Sequence, residues 1–161
     1  MIDHSEFANR PHRKMTDKEG EQHFQNMLHQ IRKIGPDEII AVNRSGFSYA
    51  MWVAQILGLP LGVYYPEDKV IIKKPTSKNI VFVDDNIMTG TTFKATKKLM
   101  EDHATVSWSW AVLFCDWNTS EEVKNEIIYG TELTYFAIEP IWGSRKISKG
   151  PGIRKRDEDS V

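Results

Sequence analysis

The sequence predicts an α/β fold of three layers, a mostly parallel central sheet flanked by helices. Three observations carry that expectation. Short stretches that are apolar at consecutive positions, such as Ile39–Val42 and Ile80–Val83, call for burial on both faces of a sheet. Between them run helical patterns with recognisable start and stop residues. The two kinds of segment alternate along the chain, which favours parallel strands joined by crossover helices. With 161 residues the chain is long enough for one domain with a full core, and residues 1–161 show neither an internal repeat nor a linker.

Taken in order, residues 1–15 are polar with little periodicity and read as a loosely ordered arm. Thr16-Asp17-Lys18-Glu19 is a capping box, and the helix it opens carries Phe24, Met27, Leu28, Ile31 and Ile34 at helical spacing. Gly35-Pro36 stops it. Glu38–Val42 reads as a buried strand, and Phe47–Leu57 as a helix apolar nearly all round, hence well buried, ended by Gly58 and Pro60. Leu61–Tyr65 is the next strand, followed by a polar connection over Pro66–Lys78. After the strand at Ile80–Val83 comes a helix from Thr92 to about Met100. Val106–Cys115 alternates with period two, placing Val106, Trp108, Trp110, Val112 and Phe114 on one face. Thr119-Ser120-Glu121-Glu122 is a second capping box, opening a helix with Val123, Ile127 and Ile128 inward and Gly130 at its end. Leu133–Ile138 is the last strand, and residues 143–161, poor in apolar anchors, read as a mobile tail.

Composition narrows the function classes. A hydrophobic content of 40% beside 27% charged residues is that of a soluble globular chain. The formal net charge of -1 gives no electrostatic reason to expect nucleic acid as a partner. A lone cysteine, Cys115, excludes an internal disulfide framework and fits a reducing cytosol. No apolar run approaches the roughly 20 residues that span a bilayer. Asp3, His4 and Glu6 do not read as a signal peptide, so a cytoplasmic protein with no membrane partner is expected.

The chemistry is concentrated in Val81-Phe82-Val83-Asp84-Asp85-Asn86-Ile87-Met88-Thr89-Gly90-Thr91-Thr92. Two adjacent carboxylates end a buried strand and can accept hydrogen bonds from vicinal hydroxyls, directly or around Mg²⁺. The Thr89, Gly90, Thr91, Thr92 loop offers hydroxyls, backbone N–H groups and a positive helix start to a phosphate. Gly90 lets that backbone turn closely around a ligand. The stretch resembles the PRPP-binding signature of the type I phosphoribosyltransferases. The resemblance implies that fold, with a small C-terminal hood, and transfer of 5-phosphoribosyl from PRPP to a nitrogenous base, purine-type, giving a nucleoside 5′-monophosphate and pyrophosphate. Asp84 and Asp85 would hold ribose hydroxyls and Mg²⁺.

Other segments fit that resemblance. Ala41-Val42-Asn43-Arg44-Ser45-Gly46-Phe47 is similar to the family's pyrophosphate loop, usually written Arg-Gly-Gly. Arg44 would supply a planar charged fork, and the backbone N–H groups of Ser45 and Gly46 would line the diphosphate. Lys69 and Lys73 lie in a short connection where relatives carry a mobile basic lid, and Lys73 is a candidate for pyrophosphate. Tyr135-Phe136-Ala137-Ile138-Glu139-Pro140-Ile141-Trp142 resembles the hood of bacterial xanthine-guanine phosphoribosyltransferases, so Phe136 or Trp142 would stack on the base. The family commonly forms homodimers, and five tryptophans supply apolar area for such an interface.

Two positions depart from the 6-oxopurine pattern. The family's base-side aspartate, four residues after the first, is Met88 here and cannot move a proton. The lysine that faces the purine's exocyclic oxygen falls at Asp116, an acceptor in place of a donor, unless Asp116 only caps the segment that follows. These departures keep open a PRPP- or nucleotide-sensing regulator, and a transferase or hydrolase acting on a non-purine acceptor.

Overall fold

A computed structural model describes residues 12–138. Its elements run β1 (His12–Lys14), α1 (Asp17–Ile34), β2 (Glu38–Val42), α2 (Phe47–Leu57), β3 (Leu61–Tyr65), β4 (Val70–Ile72), β5 (Asn79–Ile87), α3 (Thr91–Met100), β6 (Ser107–Asp116), α4 (Glu121–Lys124), β7 (Ile128–Leu133) and β8 (Phe136–Ile138). A 3₁₀ turn at Glu101–His103 links α3 to β6.

The main sheet has six strands in the order β4-β3-β2-β5-β6-β7, parallel except for β4, which folds back antiparallel on β3. From β2 the chain moves outward to β3, then returns to the other side of β2 to lay down β5. Right-handed crossovers in opposite directions put their helices on opposite faces. One core accordingly joins α1 and α2 to the sheet through Phe24, Ile31, Tyr49 and Val53, and a second joins α3 through Phe93 and Met100. The expected three-layer α/β fold is the one observed. Among the described residues no helix is long and apolar enough to cross a membrane.

The α1 capping box is formed as its residues require: Glu19 N–H donates to Thr16 Oγ1 at 3.1 Å, and Thr16 N–H donates to Glu19 Oε1 at 3.0 Å. Gly35 closes the helix at φ 65°. Four expectations need correction. From His12 onward the expected arm is ordered: β1 pairs in parallel with β8, and Met15 is buried. The Pro66–Lys78 connection contains β4, whose ladder with β3 covers that edge. The second capping box shifts by one residue, with Ser120 as N-cap, and the helix ends at Lys124. Residues from Ile128 onward pair with β6 instead, since a buried parallel ladder suits Ile128 and Tyr129 better than a continued helix. Lastly, α2 is not buried all round. Tyr49, Ala50, Val53 and Ala54 face the core, whereas Phe47, Met51 and Ile56 stay exposed, because an outer-layer helix has only one side against the sheet.

Gly130 on β7 marks a close crossing with α1. A Cβ there would collide with the His23 carbonyl oxygen and lie 2.9 Å from that of Leu113. Both obstacles are backbone, so Gly130→Ala should cost about 1–3 kcal/mol of stability. Chemical denaturation against the wild type measures this, and an unchanged midpoint would contradict the packing described.

Candidate active site

The order of strands reverses between β2 and β5, so the loops leaving their C-terminal ends diverge and open a crevice, the usual place for a ligand in a doubly wound sheet. The residues 43–46 leave β2 into that crevice, and residues 84–92 approach it from β5.

Adjacent residues of a strand normally point to opposite faces. Yet Ser45 Oγ lies 3.0 Å from Asp85 Oδ1 and 3.3 Å from Asp84 Oδ1. Both carboxylates therefore converge on one point, and the sheet shows how. Along β5 the alternation Ile80, Phe82 against Val81, Val83 breaks after Val83, since Ile87 joins the core of Ile80 and Phe82. On β6 the same break falls at Leu113 and Phe114, which face one core together. This crease explains why the even-numbered face expected along Val106–Phe114 loses Phe114. It also carries the acidic pair into the crevice: Asp84 is half-buried and Asp85 is buried. Each carboxylate is pinned by the next amide, Asp85 N–H donating to Asp84 Oδ1 and Asn86 N–H to Asp85 Oδ1, both at 2.8 Å.

On the facing loop the Asn43–Arg44 peptide is cis. Arg44 and Ser45 are exposed, and Gly46 is buried. Gly46 N–H donates to Val42 O at 3.1 Å, and a Cβ at 46 would lie 2.7 Å from Asp84 Cα and 2.9 Å from Val42 O. Gly46 thus lets the two loops touch, and its amide, expected to line a diphosphate, instead closes the turn onto Val42 O. The β5–α3 loop matches expectation more simply. Gly90 is left-handed at φ 80° and caps α3, which begins at Thr91, while the Thr89 and Thr91 hydroxyls lie 2.9 Å apart. That arrangement gathers hydroxyls and the open amides of a helix start, the means by which a phosphate is held.

The turn after β6 carries Asp116, the residue expected to face an acceptor base. Asp116 is buried, and its Oδ1 accepts from Asn118 N–H at 2.8 Å. Thr119, expected to cap a helix, instead donates its hydroxyl to Met88 O at 2.7 Å, lashing this turn to the signature loop. Trp117 is half-exposed, and its backbone is tied at both ends: its N–H donates to Leu133 O, and its carbonyl accepts from Lys124 Nζ. Lys124 is itself buried and bonds Glu132 at 3.2 Å; burial opposes its charge, but Glu132 and Glu121 together raise its pKa. Burial also pushes the neighbouring Cys115 thiol up to about 11, which makes it a packing group at neutral pH. Lys124, the side chain of Ser45 and the tie from Thr119 to the signature loop are not signalled by the sequence, which marks Thr119 only as a helix cap. Their roles depend on partners 7 to 40 positions away, which local patterns do not encode.

Lys73 turns back on its own loop, donating to Lys74 O at 3.0 Å and Ser77 O at 2.9 Å. The same loop is anchored by the buried Glu38, whose Oε1 accepts from Lys74 N–H, and by Asp37, which accepts from Lys78 and Asn79 N–H. Those amides hold the Asp37 carboxyl below its ordinary pKa. Phe136 belongs to β8, which follows the site end of β7, whereas Trp142 lies outside the described residues. Arg13 of β1 donates to Tyr135 Oη at 2.6 Å and to Glu19 at 3.2 Å, fastening this small sheet to α1.

Among the described residues no three metal-ligating side chains cluster. Two adjacent carboxylates with converging oxygens nevertheless suit Mg²⁺, which takes one or two carboxylates and completes its shell with substrate oxygens and water.

The fold is that of the type I phosphoribosyltransferases. A sequence model of the PRTase-CE family matches residues 4–149, and the chain belongs to that family. Solved structures agree on the fold. A purine phosphoribosyltransferase from Pyrococcus horikoshii Ot3 superposes with a TM-score of 0.61 at 22% identity, covering 81% of this chain and 93% of that one. The xanthine-guanine-hypoxanthine phosphoribosyltransferase of Helicobacter pylori gives 0.63 at 14% identity, covering 81% and 92%. An orotate phosphoribosyltransferase from Aeropyrum pernix gives 0.54 at 16% identity, covering 91% and 82%. No curated protein matches the chain.

Proposed function

We propose that this protein transfers the 5-phosphoribosyl group of PRPP to a nitrogenous base of purine type, releasing pyrophosphate and a nucleoside 5′-monophosphate. The observation that carries the reading is the meeting of two loops at the switch point, with Ser45 Oγ within 3.3 Å of both acidic side chains. One loop carries a cation suited to a diphosphate, and the other carries carboxylates and a phosphate cradle. PRPP has those groups in that order.

The reaction forms a bond between C1 of the ribose and a ring nitrogen while the bond from C1 to the diphosphate oxygen breaks. Positive charge develops at C1, and the proton of the incoming nitrogen is lost to solvent or a base. Asp84 and Asp85 would fix the ribose hydroxyls and hold Mg²⁺. Arg44 and the Ser45 amide would take the diphosphate, and Thr89–Thr92 the 5′-phosphate. Bound Mg²⁺ would supply neutralisation of charge on the diphosphate. Orientation and electrostatics of this kind supply much of the rate in such a transfer. Removing one acid–base group costs about 10²–10⁴-fold, so Met88 points to an acceptor acidic enough to do without one. Lys73 could join the diphosphate only by leaving its two carbonyl partners.

For the base, Asp116 offers a carboxylate that reads a donor edge, and Phe136, Trp142 or the half-exposed Trp117 offers a stacking face. Asp116→Asn keeps an oxygen for Asn118 N–H and so preserves the turn. It should raise the KM of the acceptor about tenfold at unchanged KM for PRPP; identical acceptor constants would leave Asp116 as a turn residue. A homodimer is part of the reading, because Phe47 and Met51, one turn apart on α2, expose apolar surface. Light scattering that finds only monomers would remove it.

Pyrophosphate release from PRPP and Mg²⁺, run with purine and pyrimidine bases and a no-base control, tests the whole. Release with one base and its nucleotide establishes transfer, while release without base indicates hydrolysis. Met88 favours one further reading, a PRPP- or nucleotide-binding regulator, which would show binding without release.

A further inference from the structure

Beside the backbone contact that Gly46 makes, Ser45 joins the two halves of the crevice by side-chain hydrogen bonds. The Oδ1 atoms of Asp84 and Asp85 are each pinned by an amide and both aimed at its hydroxyl, at 3.3 and 3.0 Å. A hydroxyl has one proton to give, so it serves one carboxylate at a time, and the shorter contact assigns it to Asp85. Next to this link the loop backbone packs directly on the strand: Gly46 lies too close to Asp84 Cα for even a methyl group between them.

We propose that the Ser45 hydroxyl is a positioning group that ties the pyrophosphate loop to the acidic pair, so that gripping the diphosphate and ordering the carboxylates become one event. The inference rests on the PRPP reading above. A ligand that engages the Ser45 amide moves its side chain, and the side chain carries the orientation of Asp85 with it. A glycine at this position could offer the amide but no such link. The predicted consequence is that the Mg²⁺ requirement for PRPP binding depends on a residue that need not touch the ion.

The test is calorimetric titration of PRPP at a series of Mg²⁺ concentrations, using the wild type, Ser45→Ala, Ser45→Gly and Ser45→Thr. A hydrogen bond to a carboxylate corresponds to about tenfold in such an equilibrium. Ser45→Ala and Ser45→Gly should each need about tenfold more Mg²⁺ for half-maximal PRPP affinity, and Ser45→Thr, which restores the hydroxyl, should recover most of it. Ser45 is exposed, so truncation leaves no cavity, and melting temperatures confirm folding. Wild-type Mg²⁺ dependence in both truncations, or a threonine variant as weak as alanine, overturns the role of Ser45 and leaves the PRPP reading standing. A wild type that does not bind PRPP overturns that reading, and this inference with it.

Discussion

Asp85→Asn should reduce PRPP affinity by about 10²–10⁴-fold and leave the protein folded. The carboxylate is 3% exposed and accepts from the Ser45 hydroxyl and from Asn86 N–H. Asparagine keeps the shape and one acceptor oxygen, so the buried site is refilled without a cavity, and the Asn86 side-chain amide, which donates to Asp85 Oδ2 at 3.4 Å, can turn to suit the new neighbour. What disappears is the negative charge that would hold ribose hydroxyls and Mg²⁺. Two charge-assisted bonds at about 1.5–3 kcal/mol each account for the range given. Calorimetry with PRPP and Mg²⁺ measures the affinity, and thermal denaturation checks the fold. Affinity equal to wild type would remove the acidic pair from the site.

Gly46→Ala should damage stability and binding together. The added methyl would meet the Val83 carbonyl oxygen and the Asp84 Cα, which belong to the strand that carries the acidic pair. Neither is the end of a flexible side chain, so the loop and β5 must separate. About 1–3 kcal/mol of stability should be lost. Because Arg44 and the acidic pair are moved apart, PRPP affinity should fall well beyond what lost stability alone explains. Gly130→Ala is the matched control, since its obstacles lie between α1 and β6, away from the crevice. If both variants lose stability but bind PRPP alike, the two loops do not act as one site.

The signals that were readable in the chain are those written by neighbours in sequence. Thr16 and Glu19 cap each other across three residues, Gly90 supplies the left-handed turn before α3, and Asp84-Asp85 with Thr89–Thr92 lie within one short run. Each needs only local backbone geometry, so residue type and spacing suffice. The α4–β7 boundary is not legible in the chain, because Ile127 and Ile128 satisfy a helical stripe and a buried strand equally well; pairing with β6 decides between them. The one-sided burial of α2 is hidden for a similar reason, as apolar content does not say which side meets the sheet.

The sequence by itself determined the alternation of strands and helices, the acidic pair followed by the Thr89–Thr92 loop, and the absence of carboxylate chemistry at Met88. Only the tertiary structure decided that the acidic pair turns as one toward Ser45, that Thr119 lashes the β6 turn to Met88, and that Lys73 faces its own loop. The reason is physical. Those arrangements follow from where strand order reverses and how far adjacent strands crease, and both are set by contacts between segments distant in the chain.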